Sequence, residues 1–72
     1  MLIHRAARKW GVPDDDMRHA VRNPLWVFPQ DGYEIFVGPD RAGLLLEVGL
    51  RENEHGETVI FHAMPARPKF TR

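Results

Sequence analysis

The sequence predicts an α+β domain: two short N-terminal helices packed on a four-stranded antiparallel meander sheet. The helical part covers residues 3–23, the sheet 25–64, and a basic extended tail 65–72. Three observations predict this. Apolar residues recur at helical spacing up to Asn23-Pro24 and at strand spacing beyond it. The strand-like segments are joined by connections of hairpin length, which give sequential antiparallel pairing. A chain of 72 residues holds one domain, and one face of its sheet must be covered by the helices.

The first helix is read over residues 3–10. Ile3, Ala6, Ala7 and Trp10 fall at i, i+3, i+4 and i+7, and Gly11 supplies the stop. The second runs from about 14 to 23. Asp14, Asp15 and Asp16 sit in its first turn, where the helix dipole favours anions. Pro13 stands at or beside the cap, where its missing N–H costs nothing. Val12 and Met17 have the spacing of a hydrophobic staple. Met17, Ala20 and Val21 form the buried face, and Asn23-Pro24 ends the helix.

Strand patterns follow. Leu25-Trp26-Val27-Phe28 is a short apolar run, closed by a turn containing Asp31-Gly32. Residues 33–37 form the next strand, and 38–43 a loop. In the longest strand, 44–51, Leu44, Leu46, Val48 and Leu50 share one face, with Leu45, Glu47, Gly49 and Arg51 on the other. After a polar loop at 52–57, the last strand alternates Val59, Phe61 and Ala63 against Ile60, His62 and Met64. The tail carries Pro65 and Pro68 and is read as extended.

Composition bounds the function. A domain this short buries only about 60% of its unfolded surface, so its stability is marginal. With no cysteine, neither a disulfide nor a thiolate metal ligand stabilises it, and partner binding or self-association, as in a homodimer, is the remaining route. An open sheet edge would suit that purpose. There is no serine, which excludes a serine nucleophile, and no cysteine nucleophile. Gly38 and Gly43 have the spacing of a phosphate loop but precede Leu44-Leu45 rather than Lys-Ser or Lys-Thr. No apolar run approaches the roughly 20 residues of a membrane span, and no signal peptide is apparent, so a cytoplasmic protein away from membranes is expected.

Net charge is zero but uneven. Arg5, Arg8 and Lys9 give residues 1–12 a charge of +3. Arg67, Lys69 and Arg72 give 66–72 another +3, and the middle carries −6. If the ends meet, they form a basic face suited to a phosphate backbone, with Arg5, Arg8, Lys9 and Arg72 as RNA-binding candidates.

No metal site is expected. His4, His19, His55 and His62 lie in separate elements, and three consecutive aspartates point about 100° apart on a helix. Nor is any cofactor implied. The cluster that can carry chemistry is His62 with Arg67 and Lys69. Metal-independent RNA cleavage needs a base for the 2′-hydroxyl, cations for the phosphate, and an acid for the leaving oxygen. Imidazole suits the proton transfers, and guanidinium grips phosphate with two parallel bonds. Arg51 or Glu47, on the neighbouring strand, faces the same site if the register allows. The same residues also fit a structural role, with His62 satisfied on a half-buried face and the tail cations solvated.

The order of motifs resembles the BrnT family of bacterial toxins. Lys9-Trp10-Gly11-Val12, followed by an acidic helix ending at Asn23-Pro24, is similar to that family's Lys-His-Gly-hydrophobic opening. Ile35-Phe36-Val37-Gly38, Gly43-Leu44-Leu45-Leu46-Glu47-Val48 and Ile60-Phe61-His62-Ala63 resemble its three sheet strands. The chain departs from the pattern at Trp10, which replaces a histidine. The arginine of the last strand is either lost to Met64 or displaced to Arg67, and the family's C-terminal helix has no counterpart. The resemblance implies a RelE-like fold and an endoribonuclease that arrests translation by cleaving RNA, in some relatives ribosome-associated mRNA. It also implies a cognate antitoxin protein as partner. Arg67 leads its implied site, with Lys69, His62 and Arg51. The other class of function open to these residues is a non-catalytic interaction module anchored by Trp26, Phe28 and Phe70.

Overall fold

The computed structural model describes residues 1–71. It confirms the α+β class but corrects the architecture: one α-helix lies on a five-stranded mixed sheet. The strands are β1 (Leu2–Ile3), β2 (Trp26–Pro29), β3 (Glu34–Pro39), β4 (Leu45–Glu52) and β5 (Thr58–Pro65), and the helix α1 is Asp14–Arg22. In space the strands run β1-β5-β4-β3-β2. The expected meander is present in β2 to β5, and β1 adds a parallel edge on β5, with Leu2 opposite Val59 and Ile3 opposite Ile60. Two helices on a four-stranded antiparallel sheet is therefore not the fold.

The correction falls on residues 3–10. Only Arg5–Arg8 coil there, as a single 3₁₀ turn, and Leu2–Ile3 pair as a strand. A two-turn helix offers few internal hydrogen bonds for its nucleation cost. The edge of β5 offers an alternative, and the His4 N–H takes it by donating to the Ile60 carbonyl at 2.8 Å. The His4 ring then caps the coil, its Nδ1 accepting from the Ala6 N–H at 3.0 Å. Ala7 still reaches the core, as the helical spacing required, but Trp10 is half exposed.

α1 forms where expected, with Pro13 as its cap and Asn23 ending it. Its aspartates do more than complement the dipole. Asp14 receives Nε and Nη2 of Arg8 at 2.9 and 2.7 Å, and Asp16 receives Nε of Arg41 at 2.7 Å. Met17 and Ala20 are buried against Leu46, Val48, Leu50, Ile60 and Ala63, with Ile3, Val12, Val21 and Phe36 packed around them. Contact with β3 is closest at Gly38, directly beneath the carbonyls of Ala20 and Asn23.

β5 does not alternate as the sequence suggests. Gly49 pairs with His62 while Leu50 pairs with Ile60, so Phe61 is an extra residue, a β-bulge. The bulge places both Ile60 and Ala63 in the helix-facing core. Phe61 and His62 both turn to the other face, beside Gly49. The tail is also more structured than an extended segment. The Ala66 N–H donates to the Leu45 carbonyl at 3.0 Å, Pro68–Phe70 make a 3₁₀ turn, and Phe70 packs on Phe28 with ring centroids 5.4 Å apart. The tail thus crosses the sheet face opposite α1.

Candidate functional site

The alternation of β4 decides what lies beneath the tail. Leu46, Val48 and Leu50 face α1, so Glu47 projects from the opposite face, in register with Val37 on one side and Met64 on the other. Its side chain is fully buried, and ionised carboxylates are rarely buried unless paired. The pairing here is complete. The Arg67 backbone N–H and Nε each donate to Oε1 at 2.9 Å, and Nη2 donates to Oε2 at 2.7 Å. His62 Nε2 lies 2.8 Å from the same Oε2. Among the described residues no buried side-chain nitrogen or oxygen lacks a partner.

Burial alone would push the Glu47 carboxyl up. The bonds from Arg67, then that from His62, outweigh burial and hold it down at about 2. Glu47 is therefore an anion at neutral pH, and an ionised carboxylate only accepts. The proton between Glu47 and His62 must accordingly sit on Nε2. Nδ1, which makes no hydrogen bond within the described residues, is the nitrogen left to exchange protons with a ligand. The Glu47 bonds raise the Arg67 guanidinium above its ordinary value, against a smaller effect of burial and with a minor contribution from the Tyr33 phenol.

Exposure grades outward from this anchor. The side chain of Glu47 is 0% exposed, that of His62 27% and that of Arg67 46%. Nη1 of Arg67 makes no hydrogen bond within the described residues, and its guanidinium carbon lies 5.7 Å from the Phe70 ring centre. Lys69 Nζ sits 5.0 Å from the same centre. A buried carboxylate thus aims an imidazole and a guanidinium outward, side by side, with an ammonium close by.

The structure brings together His62, Arg67 and Lys69, as the sequence suggested, and makes Glu47 their hub. Arg51 stands on the same face two residues beyond Gly49, with its guanidinium carbon 5.3 Å from the Phe61 ring centre. The N-terminal cations do not join them. Arg5 and Arg8 flank Ala7, which belongs to the core under α1, so they lie on the other layer. Arg8 is engaged by Asp14, and Lys9 Nζ lies 5.5 Å from the Trp10 ring centre. Arg72 lies outside the described residues. The two basic ends therefore do not merge into one face. Among the described residues no group of three or more histidines, acids or cysteines could hold a metal ion, and no helix is long and apolar enough to cross a membrane.

Sequence reading missed Tyr33 and Phe61, whose rings meet edge to face at 5.4 Å beside the site. Gly49 was the available signal: it leaves room on β4 for the Phe61 ring. Compared with known proteins, the chain matches no family model, no curated protein and no solved structure.

Proposed function

We propose that this chain is a metal-independent endoribonuclease, the toxin of a bacterial toxin–antitoxin pair acting in the cytoplasm, as its resemblance to the BrnT family implies. The observation that carries the reading is the fixed pair of His62 and Arg67 on one buried carboxylate. In this reading His62 Nδ1 takes the proton of a ribose 2′-hydroxyl. The freed oxygen attacks the adjacent phosphorus, a 2′,3′-cyclic phosphate forms, and the bond to the 5′-oxygen breaks. The leaving oxygen takes its proton from the imidazolium or from water. Arg67 Nη1 and the Lys69 ammonium meet the charge gathering on the phosphate. Glu47 is a positioning residue that fixes the ring's tautomer and orientation.

The alternative reading, an interaction module, is favoured by the edge strand β2. There Leu25, Trp26 and Val27 are 58%, 40% and 41% exposed. Such an edge also suits the antitoxin expected of the first reading.

The test is controlled expression in bacteria, with growth followed and RNA 5′ ends mapped. Wild type is expected to arrest growth and create new ends. His62→Gln retains a donor to Glu47 but has no base, and is expected to lower cleavage by two orders of magnitude or more. Lys69→Met should lose about tenfold. Equal arrest by wild type and a folded His62→Gln protein would remove His62 from the site. A folded wild type that leaves growth and RNA unchanged would favour the interaction module.

A further inference from the structure

We propose that the groove at the end of the sheet beside His62 is a nucleobase site that selects guanine in single-stranded RNA. This rests on the assignment of His62 and Arg67 to the scissile phosphate. The groove has a volume of about 520 Å³, is open to solvent, and is lined chiefly by Tyr33, Glu34, Phe36, Leu50, Arg51 and Glu52.

Its place follows from the bulge. Phe61 leans across Gly49 and touches Tyr33 edge to face on one side and the Arg51 guanidinium on the other. Tyr33 and Arg51 in turn line the groove, so Phe61 joins the two sites. Arg51 is two residues from Gly49, the partner of His62, which is about 7 Å along a strand. A base attached next to a phosphate at His62 spans that distance.

The chemistry of the lining decides what enters. An aromatic ring and a planar guanidinium are the two side-chain surfaces on which unpaired bases stack. Phe36 and Leu50 add apolar contact. Glu34 and Glu52 repel a phosphate, so the groove takes the base and leaves the backbone to Arg67 and Lys69. A carboxylate accepts two N–H bonds from one partner only where the donors are adjacent. Guanine offers N1–H beside its 2-amino group. Uracil sets its single N–H between two carbonyls, and adenine and cytosine set an amine beside an acceptor nitrogen.

The experiment is anisotropy of labelled single-stranded deoxyoligonucleotides, which lack the 2′-hydroxyl and so cannot be cut. A run of thymidines is compared with the same run holding one guanosine, adenosine or cytidine. Wild type and His62→Gln are expected to bind the guanosine oligonucleotide about tenfold more tightly than the others. Tyr33→Leu or Arg51→Met, each checked for folding by circular dichroism, should weaken it about tenfold, since stacking of one base contributes roughly 1–3 kcal/mol. Tyr33→Phe should retain binding. Glu34→Gln combined with Glu52→Gln should abolish the guanine preference while leaving thymidine binding intact. Equal affinity for all four oligonucleotides overturns the proposal, as does unchanged binding by both Tyr33→Leu and Arg51→Met. RNA cleavage by a wild type that lacks guanine preference would overturn this site alone and leave the reading of His62 standing. Guanine-selective binding by a protein that cuts no RNA would keep the site and remove the ribonuclease.

Discussion

Replacing Gly38 by alanine is expected to remove a large part of the domain's stability. A Cβ at this position would collide with the Ala20 carbonyl oxygen, and would lie 2.9 Å from the Asn23 carbonyl oxygen and 3.1 Å from the Ala20 carbonyl carbon. These are backbone atoms, so no side chain can rotate away; α1 would have to lift from β3. Overpacking usually costs about 1–3 kcal/mol and occasionally more. The rigid opposition here puts Gly38→Ala at about 3 kcal/mol or above. Domains carry only about 0.05–0.15 kcal/mol of stability per residue, so a chain this short has little to spare. Gly56→Ala is the control. Its φ of +75° lies in the left-handed region, but nothing stands within 4 Å of its added Cβ. Backbone strain alone costs it about 1–2 kcal/mol. Urea unfolding of the two variants beside wild type decides the point. A Gly38→Ala midpoint at or above that of Gly56→Ala would mean that α1 does not press on β3 as described.

The second large effect concerns Glu47 and Arg67, whose removal is not symmetrical. Glu47→Gln leaves Arg67 and His62 without their anion, but both are partly exposed and can turn to water. Arg67→Ala instead leaves a fully buried carboxylate with His62 as its sole remaining side-chain partner. Breaking a buried pair from the side that strands a charge costs about 3–5 kcal/mol, so Arg67→Ala is expected to be the worse variant. The double variant should recover part of that loss.

Acid titration provides an independent check. The folded Glu47 carboxyl stands at about 2, against an ordinary value of 4.5. Between those values the unfolded chain binds the proton and the folded chain does not, so stability falls as pH falls through that window. The full shift corresponds to roughly 3 kcal/mol, present above pH 4.5 and gone below about 2. Glu47→Gln should lack this slope. In Arg67→Ala burial dominates, the carboxyl rises, and the slope should reverse, with stability gained as the pH drops toward the carboxyl's new value. Parallel acid profiles for wild type and Glu47→Gln would show that the carboxylate is not held as described.

Much of the fold was legible because its signals are local. Pro13, Asn23-Pro24 and Asp31-Gly32 each restrict their own backbone, and α1 and the β2–β3 hairpin formed where they direct. β1 was not legible. Two residues carry no periodicity, and Ile3 is a strand residue only because Ile60, distant in sequence, has an edge to offer. The Phe61 bulge was hidden for a related reason: no glycine or proline marks β5, and the permissive residue, Gly49, lies across the ladder on β4. Of the site, His62, Arg67 and Lys69 were visible as a cluster of suitable chemistry within eight residues. Glu47 could be noticed as the one acid in an apolar strand. Its role as the shared acceptor depends on the tail folding back, which no local pattern encodes.

The pairing of β1 with β5 also orders events in time. Ile3 leaves the ribosome early, yet its strand partner Ile60 emerges 57 residues later, and the closure of so long a loop is entropically slow. Until then the nascent chain can build α1 and the β2–β3–β4 ladder but not the completed sheet. Glu47 waits still longer, because Arg67 follows β5. The grouping of His62 with Arg67 is therefore assembled in the last stretch of synthesis, and shorter nascent chains would not carry it.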